Sequence, residues 1–171
     1  IELLKKELIN VKDYLITHQE SIIQLATDAV LKISNHMPFI YTFPEFEGVA
    51  IRFKQQLNEN SKAHATYNLI PEMNHNEIVA WASKNMCVLP IFLNGNTSKR
   101  NKQRMKINIQ QITEYVDDMI EFTIDSDSYL VQYFYFIHLV DWISLIMAEK
   151  KNVNPDEIKS IDYLKHELSK I

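Results

Sequence analysis

Cys87-Val88-Leu89-Pro90-Ile91-Phe92-Leu93, followed by Asn94-Gly95-Asn96, is the stretch on which the fold turns. A continuous apolar run of strand length, bounded by turn residues, reads as a strand buried on both faces. Beyond the turn the period changes. Residues 98–116 carry Met105, Ile109, Ile112 and Val116 at helical spacing on a polar background. Met119-Ile120-Glu121-Phe122-Thr123-Ile124 reads as a second strand, and a long apolar helix runs from about 128 to 151. Strands that alternate with helices and have apolar interiors predict an α/β domain: a parallel sheet covered by helices on both faces.

Upstream, Phe39-Ile40-Tyr41-Thr42-Phe43 reads as a short buried strand closed by Pro44. Residues 49–60 return to helical spacing through Val49, Ala50, Phe53 and Leu57. Residues 2–33 carry two helical sets, Leu4, Leu8, Val11, Leu15 and then Ile22, Ala26, Ala29, Val30, which predicts two helices broken near Thr17-His18. Residues 63–76 lack periodicity and contain Pro71, so they read as a long irregular loop of the kind that often carries function. A short helix over 77–84 and a closing helix over 157–171, introduced by Pro155, complete the reading.

The bulk properties narrow the classes. The chain has 171 residues, 46% hydrophobic and 23% charged, enough for one domain with its own core. A net charge of -4 gives no general attraction to nucleic acid or to an anionic membrane. With Cys87 as the single cysteine no intrachain disulfide can form, which fits a reducing, cytoplasmic setting. Residues 129–148 are the most apolar stretch, but Gln132, His138 and Asp141 would be costly in lipid, so a buried core helix is expected there. Asp141 is the expected partner of His138. The chain does not begin with Met, which suggests a piece of something longer.

Candidate chemistry concentrates in residues 57–81, where Glu59, Lys62, His64, Glu72, His75 and Glu77 sit among five asparagines. A carboxylate in a cleft can take a proton from carbon next to a carbonyl, and an imidazole can move a proton on a sugar ring oxygen. Acidic residues near helix ends also serve as caps or stay solvated, so the residues alone leave both readings open.

The same segment resembles the signature of the bacterial phosphoglucose/phosphomannose isomerase family. The matching residues are Gln56-Leu57-Asn58-Glu59-Asn60-Ser61-Lys62 and Pro71-Glu72-Met73-Asn74-His75-Asn76-Glu77-Ile78-Val79-Ala80-Trp81. Weaker matches occur at Asp141-Trp142-Ile143-Ser144 with Ala148, then at Asn154-Pro155, Ile158, Ile161 and Leu164-Lys165, so the resemblance covers about residues 35–168. It implies a three-layer sugar isomerase (SIS) domain over 34–171, with residues 1–33 a helical lead-in or linker from an N-terminal SIS domain. It implies Glu59 as the group that moves a proton between C1 and C2 through an enediol. His75, supplied by a neighbouring subunit, would open the sugar ring, and Lys165 would lie near the sugar oxygens. Asn58, Lys62 and Asn76 are the expected substrate-binding residues. The substrate would be glucose 6-phosphate or mannose 6-phosphate against fructose 6-phosphate, with no metal or organic cofactor and with a homodimer as the working unit.

The resemblance also sets limits. The family holds the sugar phosphate mainly with serine and threonine residues of its first SIS domain, and Gly48 and Gly95 do not supply that domain's phosphate turn. The rival reading is a non-catalytic SIS domain that senses a phosphosugar or mediates assembly. Asn94-Gly95-Asn96-Thr97-Ser98 reads as an ordinary strand-to-helix turn rather than a phosphate loop. The basic cluster Lys99, Arg100, Lys102, Arg104 and Lys106 reads as a solvated helix face, and His64, Glu72 and His75 lack zinc spacing. For the isomerase reading, Glu59 is expected at the C-terminal ends of the strands, where open α/β sheets take their ligands.

Overall fold

The computed structural model describes residues 1–84 and 87–171. In chain order it holds α1 (Glu2–Ile33), β1 (Met37–Thr42), α2 (Glu47–Glu59), β2 (Thr66–Leu69), α3 (Glu77–Ala80), β3 (Val88–Asn94), α4 (Lys99–Ile112), β4 (Ile120–Thr123), α5 (Tyr129–Lys150) and α6 (Lys159–Leu168). Short 3-10 turns at Pro44–Phe46 and Glu72–Asn74 come after β1 and β2. The four strands pair parallel in the order β2-β1-β3-β4, with Ile40 beside both Tyr67 and Ile91.

The apolar run at 88–93 becomes the central strand because it has a core on each face. Ile40, Leu89, Ile91, Leu93, Ile120 and Phe122 meet Ile22, Ala26 and Ile33 of α1, Val49, Phe53 and Leu57 of α2, and Phe136, Leu139 and Ile143 of α5. On the opposite face Tyr41 and Phe92 meet Met73, Trp81, and Met105 and Ile112 of α4. The result is the expected three-layer α/β domain. Each fully buried large side chain in these layers contributes about 1.5–3 kcal/mol relative to exposure.

Three expectations give way here. Residues 2–33 form one helix, not two. The polar pair at the expected break is absorbed by the helix itself: Thr17 Oγ1 donates to the Asp13 carbonyl (2.8 Å), His18 Nδ1 meets the Tyr14 carbonyl (2.8 Å), and the Tyr14 and His18 rings stack. The loop expected over 63–76 contains the edge strand β2, which is half-buried at every position and so shows no alternation in its sequence. His138 does not pair with Asp141. Its Nε2 lies 2.7 Å from Gln19 Oε1 of α1 and 3.2 Å from Trp142 Nε1, while Asp141 accepts from Nε and Nη2 of Arg52.

α5 is long and apolar enough to cross a membrane by length and composition. Here it is the central helix of one layer, with ten buried residues and packing against α1 and α2. Ser128 caps it, accepting from the Val131 N–H, as Ser98 caps α4 by accepting from the Asn101 N–H.

Candidate active site

Glu59 is the last residue of α2. α2 leaves the C-terminal end of β1 and runs back along the sheet to reach the start of β2, as a crossover helix between parallel strands must. Glu59 therefore lies at the end of the sheet where the strands begin, which corrects the expectation that it sits at their C-terminal ends. Glu59 is exposed there. It lines a groove of about 810 Å³ whose one wall is Gln55, Asn58, Glu59 and Lys62 and whose other wall is residues 157–161.

The chain beyond Glu59 is held by polar contacts at every step. Asn60 and Ser61 bond to Ser144 of α5. Lys62 then takes a left-handed conformation (φ 50°), uncommon for a residue with a side chain. Its carbonyl accepts from Lys151 Nζ (3.0 Å), and its own ammonium donates to the Glu59 carbonyl (2.5 Å) and reaches the Pro155 carbonyl (3.4 Å). A cation at the C-terminus of α2 also suits the helix dipole. Asn58 Nδ2 is turned to the Ala63 carbonyl (2.7 Å). The Glu59 carboxylate has no hydrogen-bond or ion-pair partner among the described residues, whereas Glu157 across the groove is paired with Lys159.

The sequence-derived residues divide into two groups. Asn58, Glu59 and Lys62 come together at the groove. His75 and Asn76 do not join them, because Glu59 precedes β2 and His75 lies beyond its far end. Both are exposed, on a segment clamped from two sides. Glu77 accepts from the Tyr41 hydroxyl and from Asn68 Nδ2 (2.5 Å each), and Trp81 Nε1 donates to the Tyr41 oxygen (2.9 Å). Asn74 Nδ2 donates to Asn108 Oδ1 of α4 (2.6 Å). Burial, then the bond to Glu77, pushes the Tyr41 phenol well above its ordinary range, so it stays a donor at neutral pH. Lys165 is exposed on α6, one turn beyond the part of that helix that lines the groove. α6 has no buried residue.

The second wall, residues 157–161, carries no chemical pattern that sequence reasoning could single out. Its one signal is the weaker family match at Asn154-Pro155, Ile158 and Ile161. Pro155 brings that wall to the Lys62 ammonium. Among the described residues, no group of three or more His, Cys, Asp or Glu is placed to hold a metal. The groove offers an unpaired carboxylate, a lysine and amide groups: a proton acceptor with hydrogen-bonding neighbours suited to a hydroxyl-rich ligand.

The model of the bacterial phospho-glucose isomerase C-terminal SIS domain matches residues 23–168. The chain is 32% identical over 169 residues to a bifunctional phosphoglucose/phosphomannose isomerase of Aquifex aeolicus, covering 97% of this chain and 53% of that protein. It is 36% identical over 152 residues to a bifunctional phosphoglucose/phosphomannose isomerase of Caldicellulosiruptor bescii, covering 86% of this chain and 45% of that protein. The chain thus spans about half the length of the curated relatives it matches. Among solved structures, the C-terminal domain of glucosamine-fructose-6-phosphate aminotransferase from Francisella tularensis superposes with a TM-score of 0.71 at 16% identity, covering 89% of this chain and 46% of that one, a likeness of fold.

Proposed function

Because this chain belongs to the bacterial phospho-glucose isomerase C-terminal SIS-domain family, we propose that it is the half of an aldose–ketose isomerase that carries the proton-transfer carboxylate. The observation behind this reading is the Glu59 carboxylate, unpaired among the described residues and lining an open groove. The substrates are glucose 6-phosphate and mannose 6-phosphate on one side and fructose 6-phosphate on the other.

In this reading Glu59 takes the C2 proton of the open-chain aldose. The released electron pair forms the C1–C2 double bond of a cis-enediol as the carbonyl oxygen gains a proton. The acid form of Glu59 returns its proton to C1 while the C2 hydroxyl gives up its own, leaving the ketose. Hydrogens are relocated within one molecule, so the reaction needs no external oxidant and no cofactor. Asn58 and Lys62 hold the sugar hydroxyls, and Lys165 balances charge that develops on the enediolate oxygens.

His75 and Asn76 act at the groove of a second copy, where the imidazole moves the proton that opens the ring. The placement of Glu59 and His75 beyond opposite ends of β2 favours this division, since one chain does not bring them to one groove. An N-terminal SIS domain that residues 1–33 lead in from supplies the phosphate-binding turn, and a homodimer is the working unit.

The test is a coupled isomerase assay on the full-length gene product with both sugars, beside Glu59→Gln. The amide keeps the shape and cannot take the proton, so kcat is expected to fall by about three orders of magnitude or more. A well-folded full-length protein inactive on either sugar would overturn the reading in favour of phosphosugar sensing or assembly.

A further inference from the structure

We propose that Ser144 of α5 is a positioning residue for Glu59, acting through the two residues next along the chain from the carboxylate. The inference rests on the isomerase reading and adds to it the group that sets the angle of the base.

Ser144 and Ser61 are completely buried, although both are polar. Among the described residues, no buried side-chain polar atom is left without a partner. Asn60 donates one amide hydrogen to Gln56 Oε1 (2.8 Å) and the other to Ser144 Oγ (2.9 Å). Ser61 Oγ donates to the Ser144 carbonyl (2.7 Å), and Ser144 Oγ donates to the Asp141 carbonyl (2.8 Å). Two turns earlier on α2, Arg52 grips the Asp141 carboxylate with two bonds of 2.8 Å. α2 is therefore tied to α5 at Arg52 and again just past Glu59.

That second tie fixes what apolar packing leaves loose. Successive residues of a helix point about 100° apart, and a final turn frays readily when its last carbonyls lack fixed partners. Leu57 anchors the buried side of the turn, but an apolar contact is non-directional and tolerates small rotations. The hydrogen bonds of residues 60 and 61 to one serine are directional. They hold the last turn in one rotational setting, and with it the direction in which Glu59 meets the groove. A displacement of about 1 Å at a reacting group can cost on the order of a hundredfold in rate.

The experiment compares full-length wild type, Ser144→Ala, Asn60→Ala and Glu59→Gln on glucose 6-phosphate and its C2-deuterated form, with the folded fraction measured for each. For Ser144→Ala, kcat is expected to fall about ten- to a hundredfold while KM changes less than about threefold. The deuterium isotope effect on kcat should rise, because proton transfer from C2 becomes more rate-limiting. A variant that only loses folded protein loses rate in proportion and keeps the wild-type isotope effect. That result, or a kcat within about twofold of wild type, overturns the proposal. Should Ser144→Ala fail to fold, Asn60→Ala, which removes one amide from a half-buried position, is judged by the same two criteria. Glu59→Gln separates the levels: if it works at the wild-type rate the isomerase reading itself falls, whereas an inactive Glu59→Gln beside an unaffected Ser144→Ala removes only the positioning role.

Discussion

At the C-terminal ends of β1 and β3 the chain places Phe46, fully buried, with its ring against Tyr129, Tyr133 and Phe136. At the opposite end of the same sheet it places an open groove edged by Glu59, Lys62 and residues 157–161. Open α/β sheets usually take their ligand at the strand C-termini, where strand order reverses, and here β1 is where it reverses. Next to that switch point the chain packs aromatic rings. Gly95 shows how closely: a Cβ there would overlap two carbons of the Phe46 ring. Gly48 is similarly pressed, with the Tyr133 hydroxyl standing where its Cβ would need room. The polar groove edged by Glu59 and Lys62 thus lies at the end of the sheet away from this aromatic packing.

If that contrast is right, damage at the aromatic end reads out in stability and leaves the chemistry alone. Phe46→Ala is expected to cost about 3–5 kcal/mol in denaturant unfolding, because it leaves a cavity beneath three rings. The isomerase activity of the protein that remains folded should equal that of wild type. A rate loss beyond the loss of folded protein would mean the two ends are not independent. Gly95→Ala is the smaller probe of the same end. The added methyl group forces the Phe46 ring to move within a packed core, and a cost of about 1–3 kcal/mol is expected. Combining it with Phe46→Leu should recover part of that cost, a coupling that a double-mutant cycle measures directly. Simple additivity would show that the clash is relieved elsewhere.

Much of this architecture is legible in the sequence, and the parts that are not share a cause. The central strands announce themselves because burial on both faces demands an unbroken apolar run, as at 88–93. β2 escapes such a reading because an edge strand half-covered along its length obeys no such demand. No break forms at Thr17-His18 because two polar side chains bond to their own helix and leave its apolar seam intact. Of the candidate site, the residue types and their clustering in one segment can be read from spacing, and Asn58, Glu59 and Lys62 do converge. Their place at the strand N-termini comes from the direction of α2, a property of topology. The supporting bonds of Ser61 to Ser144 join residues 83 positions apart, and no local pattern encodes such a pair.

The groove end differs from the aromatic end in a further way: its ties are polar and partly solvated, and the smallest expected effect belongs there. Lys32, in the last turn of α1, meets Asp118 just before β4 at 2.7 Å, with both side chains more than 40% exposed. Burial alone would raise the Asp118 carboxyl, but the bonds from Lys32 and the Met119 N–H, with the nearby charges of Lys32 and His36, bring it below its ordinary value. A carboxyl depressed in the folded state contributes stability above its unfolded value and loses it as the pH falls through the folded one. Exposure and screening keep the size small, so Lys32→Ala should cost less than about 1 kcal/mol near neutral pH at low salt. The difference from wild type should shrink toward zero at high salt, and again in acid as the pH drops beneath the ordinary carboxylate value of 3.8. A deficit that persists in both conditions would mean that the lysine acts through the packing of its methylene stem, and this end of the sheet would then resemble the other more closely than the charges suggest.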